Sequence, residues 1–244
     1  MEKEKYILDV QNATKIFGGL KANEDISFHV NYGEIVGMVG PNGAGKTTLF
    51  NSLSGAHKLT YGKIIFEGTD ITKMEPHNVS KLGIGRTFQI PQSLNHMTVF
   101  ENVLVGALGK AKNMKEAREK SMEVIELCGL SRHQNEMTGK MGVIQKKRIE
   151  IARALATVPK LLLLDETMAG LTNTERVEAV ELIRKINKMN IAIITIEHVM
   201  DVIMTVSDRV VVINAGRLLM EGTPQEVTSN EEVISAYLGG AHSA

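Results

Sequence analysis

Apolar runs alternate along the chain with stretches of helical spacing. This pattern predicts an α/β protein with a largely parallel, buried sheet. Glu34-Ile35-Val36-Gly37-Met38-Val39 reads as a buried strand entering a glycine-rich turn. Leu161–Leu164 reads as a second buried strand that ends in Asp165-Glu166, and Ile191–Ile196 as a third that ends in Glu197-His198. Val210–Ile213 is a fourth, and Asn214-Ala215-Gly216-Arg217 turns it back into Leu218-Leu219-Met220 as a hairpin. Thr98-Val99-Phe100-Glu101 and Thr172-Asn173-Thr174-Glu175 are capping-box helix starts. Thr223-Pro224-Gln225-Glu226 adds Pro at the first helical position. The helix after Thr172 is expected to pack Val177, Val180, Ile183 and Ile186 on the sheet. From about Phe100 to Ala156 the spacing is helical throughout, which predicts a helical subdomain inserted between two strands of the core.

Composition narrows the function classes. The 244 residues carry 28 Lys+Arg against 28 Asp+Glu, so bulk electrostatics argue against a nucleic-acid partner. Aromatics are 4% with no Trp, which disfavours a base-stacking surface. A single cysteine, Cys128, excludes an intramolecular disulfide and points to a reducing compartment. The charged start Met1-Glu2-Lys3-Glu4-Lys5 does not read as a signal peptide. No apolar run approaches the roughly 18 residues of a membrane helix, so a membrane role is expected to come through a partner.

Gly40-Pro41-Asn42-Gly43-Ala44-Gly45-Lys46-Thr47 fits G-x-x-x-x-G-K-[ST] between a predicted strand and a helix. Glycines let backbone N–H groups turn inward around phosphate oxygens, and the helix N-terminus adds partial positive charge. Lys46 can reach the β- and γ-phosphates, and the Thr47 hydroxyl can bind Mg²⁺. The competing reading is a glycine-rich structural turn. Asp165 and Glu166 arrive at the same sheet edge. Asp165 suits Mg²⁺, and Glu166 suits orienting and polarising an attacking water. Two acidic residues at a strand end can also be purely structural.

The ordered set of motifs resembles the nucleotide-binding subunits of ABC transporters over nearly the whole chain. Within that group it is most similar to the ATPase subunits of branched-chain amino-acid importers. The closer match lies in Phe17-Gly18-Gly19-Leu20-Lys21-Ala22, Gly85-Arg86-Thr87-Phe88-Gln89, Met97–Val103, Glu150–Leu155, Ile196-Glu197-His198 and Val233–Gly239. The resemblance implies a RecA-like P-loop NTPase core with an N-terminal antiparallel β subdomain and an inserted helical subdomain. Residues 1–89 and 157–244 would form the core, and 90–156 the helical insertion. ATP would bind Phe17, Gly40, Pro41, Asn42, Gly43, Ala44, Gly45, Lys46, Thr47 and Thr48, with Phe17 stacked on adenine. Thr47, Gln89 and Asp165 would serve Mg²⁺. Glu166, His198, Gln89 and Lys46 would carry hydrolysis, His198 as donor to the γ-phosphate. Ala169-Gly170-Leu171-Thr172 takes the place of the family's D-loop, with Thr172 where Asp or Asn is common.

The family's signature, close to L-S-G-G-Q, falls here on Met141-Gly142-Val143-Ile144-Gln145, and only Gln145 survives. Gly142 replaces a hydroxyl that contacts the γ-phosphate, and the β-branched Val143 and Ile144 replace glycines whose bare backbone approaches it. Thr167 stands where Pro is usual after the catalytic Glu. Such ATPases work as head-to-tail dimers with ATP between one subunit's phosphate loop and the other's signature. A homodimer would have two defective signatures. A heterodimer with a second ABC ATPase subunit is therefore expected, with one main hydrolytic site.

The resemblance further implies transmembrane permease subunits contacted near Gln89–Met97, a periplasmic or extracellular substrate-binding protein acting indirectly, and a peripheral place on the cytoplasmic face of the plasma (inner) membrane. The rival readings are a low-activity regulatory ABC subunit and the ATPase of a lipopolysaccharide exporter. A DNA-repair or translation-associated ATPase of the same kind would need extra segments for which the length leaves no room.

Overall fold

A computed structural model describes residues 5–197 and 200–239. In chain order the elements are β1 (Leu8–Phe17), β2 (Leu20–Val30), β3 (Ile35–Val39), α1 (Lys46–Leu53), β4 (Tyr61–Phe66), β5 (Thr69–Asp70), α2 (Pro76–Leu82), β6 (Ile84–Arg86), α3 (Val99–Leu108), α4 (Met114–Leu127), α5 (Val143–Ala156), β7 (Leu161–Asp165), α6 (Asn173–Asn187), β8 (Ala192–Ile196), α7 (Met200–Val206), β9 (Arg209–Asn214), β10 (Arg217–Gly222), α8 (Pro224–Ser229) and α9 (Glu231–Gly239).

The central sheet runs β10-β9-β3-β8-β7-β6. Its strands are parallel except β10, which pairs antiparallel with β9. Strands buried on both faces read as unbroken apolar runs, and Leu161–Leu164 shows why. Leu162 and Leu164 enter the core against α3, α5 and α6, whereas Leu161 and Leu163 enter the core shared with α1 and the antiparallel strands. A second sheet, β2-β1-β4-β5, is antiparallel and takes strands from both sides of the phosphate loop. The hairpin between β9 and β10 turns through Ala215 and Gly216, both at positive φ, the geometry that matches strand twist.

Local signals set the helix starts. Thr98, Thr172 and Thr223 each accept from the N3 backbone and receive the N3 glutamate in return, and Pro224 occupies the first turn of α8. One expectation is corrected. Val180, Ile183 and Ile186 of α6 are buried together with Leu182, but Val177 is 60% exposed. A strict three-residue spacing slips back about 60° per step on a helix of about 3.6 residues per turn. Nine residues therefore carry Val177 to the face opposite Ile186, while Leu182 stays on the packed side. Among the described residues no helix is long and apolar enough to cross a membrane.

The architecture gathers chemistry at one edge. β3, β6, β7 and β8 are neighbours or near neighbours in the central sheet, and their C-terminal ends deliver the phosphate loop, Thr87–Gln89, Asp165-Glu166 and Glu197. Crevices at that edge are where open α/β sheets bind ligands.

Candidate nucleotide-hydrolysing site

β3 is buried over its whole length and feeds Gly40, where a Cβ would stand 2.0 Å from the Ile213 carbonyl oxygen. Gly45 caps α1 in the left-handed region at φ +101, and a Cβ there would stand 2.3 Å from the Ala22 carbonyl oxygen. Only glycine fits either place. The buried Asn23 adds a hold from β2, its Nδ2 donating to the Gly45 carbonyl at 3.1 Å. Above the loop lies a cavity of about 600 Å³ lined by Phe17, Leu20, Lys21, Ala22, Asn42–Thr48, Gln89, Glu166, Ala215 and Gly216.

Most of the predicted residues meet there. Phe17 lies at the cavity wall and is 42% exposed, with Lys15 Nζ 4.8 Å from its ring centre and the His57 ring edge-on at 5.4 Å. Thr47 is exposed on the same cavity. The Lys46 ammonium is buried and donates to the Gly40 carbonyl at 2.7 Å and the Pro41 carbonyl at 2.9 Å. Burial lowers its pKa, and Glu166 and Asp165 partly oppose that shift. Gly40 and Pro41 thus serve the loop through their carbonyls and lie outside the cavity lining.

Asp165 sits behind the cavity, not on it. Burial raises its pKa against the Arg86 guanidinium, which pulls the other way, and Glu166 adds to the rise. Its Oδ2 lies 3.5 Å from Arg86 Nη2, and its Oδ1 is buried with no hydrogen-bond partner among the described residues. An orphaned carboxylate oxygen is a hard donor, as are the hydroxyl of Thr47 and the amide oxygen of Gln89, and this oxygen chemistry suits Mg²⁺. No group of three or more His, Cys, Asp or Glu able to hold a metal occurs among the described residues. His198 lies outside the described residues.

Glu166 takes φ +49, a left-handed backbone uncommon outside glycine, and its N–H donates to the Ile196 carbonyl at 2.9 Å. Gln89 Nε2 donates to Glu166 Oε2 at 2.8 Å, so residues 77 positions apart meet at the cavity rim. The Gln89 segment is held in turn by Glu150 of α5. Its carboxylate accepts from the Phe88 N–H at 3.3 Å and the Gln92 N–H at 3.0 Å. Burial raises the Glu150 pKa, and those N–H groups and Arg153 oppose the rise.

Five supporting residues carry no role in the sequence reading. Arg86, Glu150 and Glu197 lie inside strings that carried the resemblance, and Asn23 is a polar residue inside an apolar strand face. Lys147 falls between Ile144 and Ile151 in the apolar stripe of α5. A cation in such a stripe is the available signal. Within Met141–Gln145, Gly142 caps α5 with no side-chain hydrogen bond, Val143 is 63% exposed and Ile144 is half-buried.

Residues 23–169 match the ABC transporter family, and residues 217–243 match the branched-chain amino acid ATP-binding cassette transporter family. The chain belongs to the ABC transporter family, as an ATP-binding and ATP-hydrolysing subunit. It is 38% identical to the high-affinity branched-chain amino acid transport ATP-binding protein BraF of Pseudomonas aeruginosa, over 96% of this chain and 98% of that one. It is 37% identical to the corresponding protein LivG of Escherichia coli, again over 96% and 98%. A solved ATP-binding cassette of an ABC transporter, MJ1267, superposes with a TM-score of 0.88 at 32% identity, over 96% of this chain and 99% of that one. Its ADP conformation gives 0.87 over 97% and 100%.

Proposed function

We propose that this chain is the ATP-hydrolysing subunit of an importer for branched-chain or related amino acids. The observation that carries the hydrolytic reading is the 2.8 Å contact between Gln89 and Glu166 at the rim of the cavity above the phosphate loop. The substrate class rests on the named relatives and on the C-terminal family match.

In this reading Phe17 stacks on adenine, and the N–H groups of Asn42–Thr48 surround the phosphates, with Gly40 and Pro41 shaping the loop beneath them. The Lys46 ammonium exchanges its two carbonyl contacts for phosphate oxygens. Glu166 accepts a proton from the attacking water, Gln89 holds that carboxylate and the water in line, and His198 donates to the γ-phosphate. The bond from the γ-phosphorus to the bridging oxygen breaks as water adds, and ADP departs with its charge neutralised by the loop. Mg²⁺, when bound, supplies further charge neutralisation, and Thr47, Asp165 and Gln89 are the residues that would hold it.

Residues 1–89 and 157–244 form the catalytic core in this proposal, and 90–156 the helical signature part. The active unit is a head-to-tail heterodimer with a second ABC ATPase, because Val143 crowns the N-terminus of α5 where a bare backbone is needed. Permease subunits dock near Gln89–Met97, a reading supported by the exposed Phe88, Ile90, Leu94 and Met97. The subunit would lie on the cytoplasmic face of the membrane, with a substrate-binding protein acting from the other side and no nucleic-acid partner.

Mg²⁺-dependent ATP hydrolysis by the purified chain, over a range of concentrations and with Glu166→Gln as control, tests the reading. Slow turnover that rises steeply when permease and second ATPase are supplied, and vanishes with Glu166→Gln, is expected. Turnover that survives Glu166→Gln would refute the assignment of the base.

A further inference from the structure

One turn apart on α5 stand two buried charged residues that point to different parts of the site. Lys147 Nζ donates to the Glu166 carbonyl at 2.9 Å and to the Ala169 carbonyl at 2.8 Å. Glu150 accepts from the Phe88 and Gln92 N–H groups, which bracket Gln89. Both side chains are nearly inaccessible, with residue exposures of 8% and 3%. A buried ammonium and a buried carboxylate are costly to keep unless each finds defined partners, and here the partners are backbone groups of two catalytic segments.

The turn after β7 is gripped from its other side as well. The Glu197 carboxylate, buried at the end of β8, accepts from the Thr167 hydroxyl at 3.2 Å and the Met168 N–H at 2.9 Å. Residues 166–169 therefore hang between α5 and β8. A left-handed φ at a glutamate persists only where its surroundings over-determine it. Lys147, bonded to the carbonyl of that same residue, is one such constraint, and the Glu166 N–H to the Ile196 carbonyl is another.

We propose that Lys147 and Glu150 are positioning residues for hydrolysis. Lys147 fixes the backbone of Glu166, Glu150 fixes the segment of Gln89, and the 2.8 Å contact between the two side chains follows from both anchors lying on one rigid helix. Neither residue lines the cavity above the phosphate loop, so neither is expected to touch a nucleotide bound there. Because Gly142, in the signature position, caps the N-terminus of α5, any tilt imposed there by a second subunit moves both anchors together. The proposal rests on reading Glu166 as the group that polarises water.

The test uses the full chain, alone for exchange measurements and in its tagged, co-purified transporter assembly for turnover. Lys147→Met keeps the aliphatic stem and removes the donors. Lys147→Arg restores donors, and Glu150→Gln retains one acceptor oxygen as a second variant should the first fold poorly. Lys147→Met is expected to lower kcat at least tenfold while the ATP dissociation constant stays within twofold. Amide exchange in 164–172 should quicken and exchange in 38–48 stay unchanged. Lys147→Arg should recover most of the turnover, and Glu150→Gln should quicken exchange in 86–93 and lower kcat. Unchanged turnover in the Met variant, or a loss of ATP affinity equal to the loss of turnover, would overturn the proposal. So would failure of Lys147→Arg to restore turnover. If Glu166→Gln retained full turnover, the reading of Glu166 would fail, and the exchange pattern would still report whether α5 holds the two segments.

Discussion

Arg86 and Asp165 form a buried ion pair at 3.5 Å beneath the phosphate loop, and Arg86 also donates to Asn51 Oδ1 at 2.7 Å and Ser54 Oγ at 2.8 Å. Burial lowers the arginine pKa and raises the aspartate pKa, so neither partner fully recovers its lost hydration from the other. Removing the cation is nevertheless worse than keeping the pair, because it leaves a buried carboxylate alone. Arg86→Met is expected to cost about 3 kcal/mol in urea denaturation at pH 8. The loss should shrink toward pH 5. A carboxyl held above its unfolded pKa contributes stability that is complete at low pH and lost as pH rises through the folded value, and removing Arg86 pushes Asp165 higher still. Equal losses at both pH values would show that Asp165 does not set the cost.

Glu197 makes a second pH prediction. Burial carries its pKa from 4.5 to about 7, against the opposing pull of the Met168 N–H, the Thr167 hydroxyl and Lys147. Its contribution is fully present below the unfolded value and is lost as pH climbs from there through about 7. Glu197→Gln keeps an acceptor and cannot ionise. The variant should match the parent near pH 5 and exceed it by roughly 2–3 kcal/mol at pH 8.5. Urea midpoints across that range would measure the gap, and a flat difference would place the titration elsewhere.

Lys46 spends its ammonium on two loop carbonyls while burial lowers its pKa. Lys46→Met gives up those bonds but also removes a desolvated charge, so the melting temperature should change little. Charge-assisted hydrogen bonds to phosphate oxygens are worth about 1.5–3 kcal/mol. ATP affinity, read from a fluorescent analogue, should therefore fall about 10- to 100-fold. A large drop in melting temperature with unaltered affinity would make Lys46 a structural anchor of the loop.

The sheet edge was legible because parallel strands buried on both faces write themselves as apolar runs, and each run ended at a chemical group. Leu161–Leu164 announced Asp165 and Glu166 in this way, and Glu34–Val39 announced the phosphate loop. Helix caps were equally plain, since Thr98, Thr172 and Thr223 each carry a glutamate three residues on. Val177 misled because three-residue spacing drifts around the helix. What could not be read was which buried charges reach which backbone groups. Lys147 to Glu166 and Glu150 to the Gln89 segment are contacts across 19 and about 60 positions, set by how α5 lies under the sheet edge. No local pattern encodes that placement.

The segment Met141–Gln145 allows the heterodimer reading to be reversed by substitution. Val143 is 63% exposed at the first turn of α5, so its branched side chain stands over the helix N-terminus and takes no part in the core. Gly142→Ser, Val143→Gly and Ile144→Gly together would restore a hydroxyl and two bare backbone positions. A Cβ on residue 142 would meet only Gln145 Oε1, at 2.9 Å, the far end of a flexible side chain that can move aside. Two glycines in the first turn cost about 1 kcal/mol each, and a serine cap recovers a few tenths. The triple variant should therefore melt a few degrees lower and remain folded. In a Glu166→Gln background, which keeps ATP uncleaved, the triple variant should form ATP-dependent dimers by light scattering where the parent stays monomeric. Helix N-termini with accessible N–H groups bind phosphate well, so restored access is enough to drive the change. If the parent background already dimerises with ATP, Val143 and Ile144 are no obstacle, and the chain works as a homodimer.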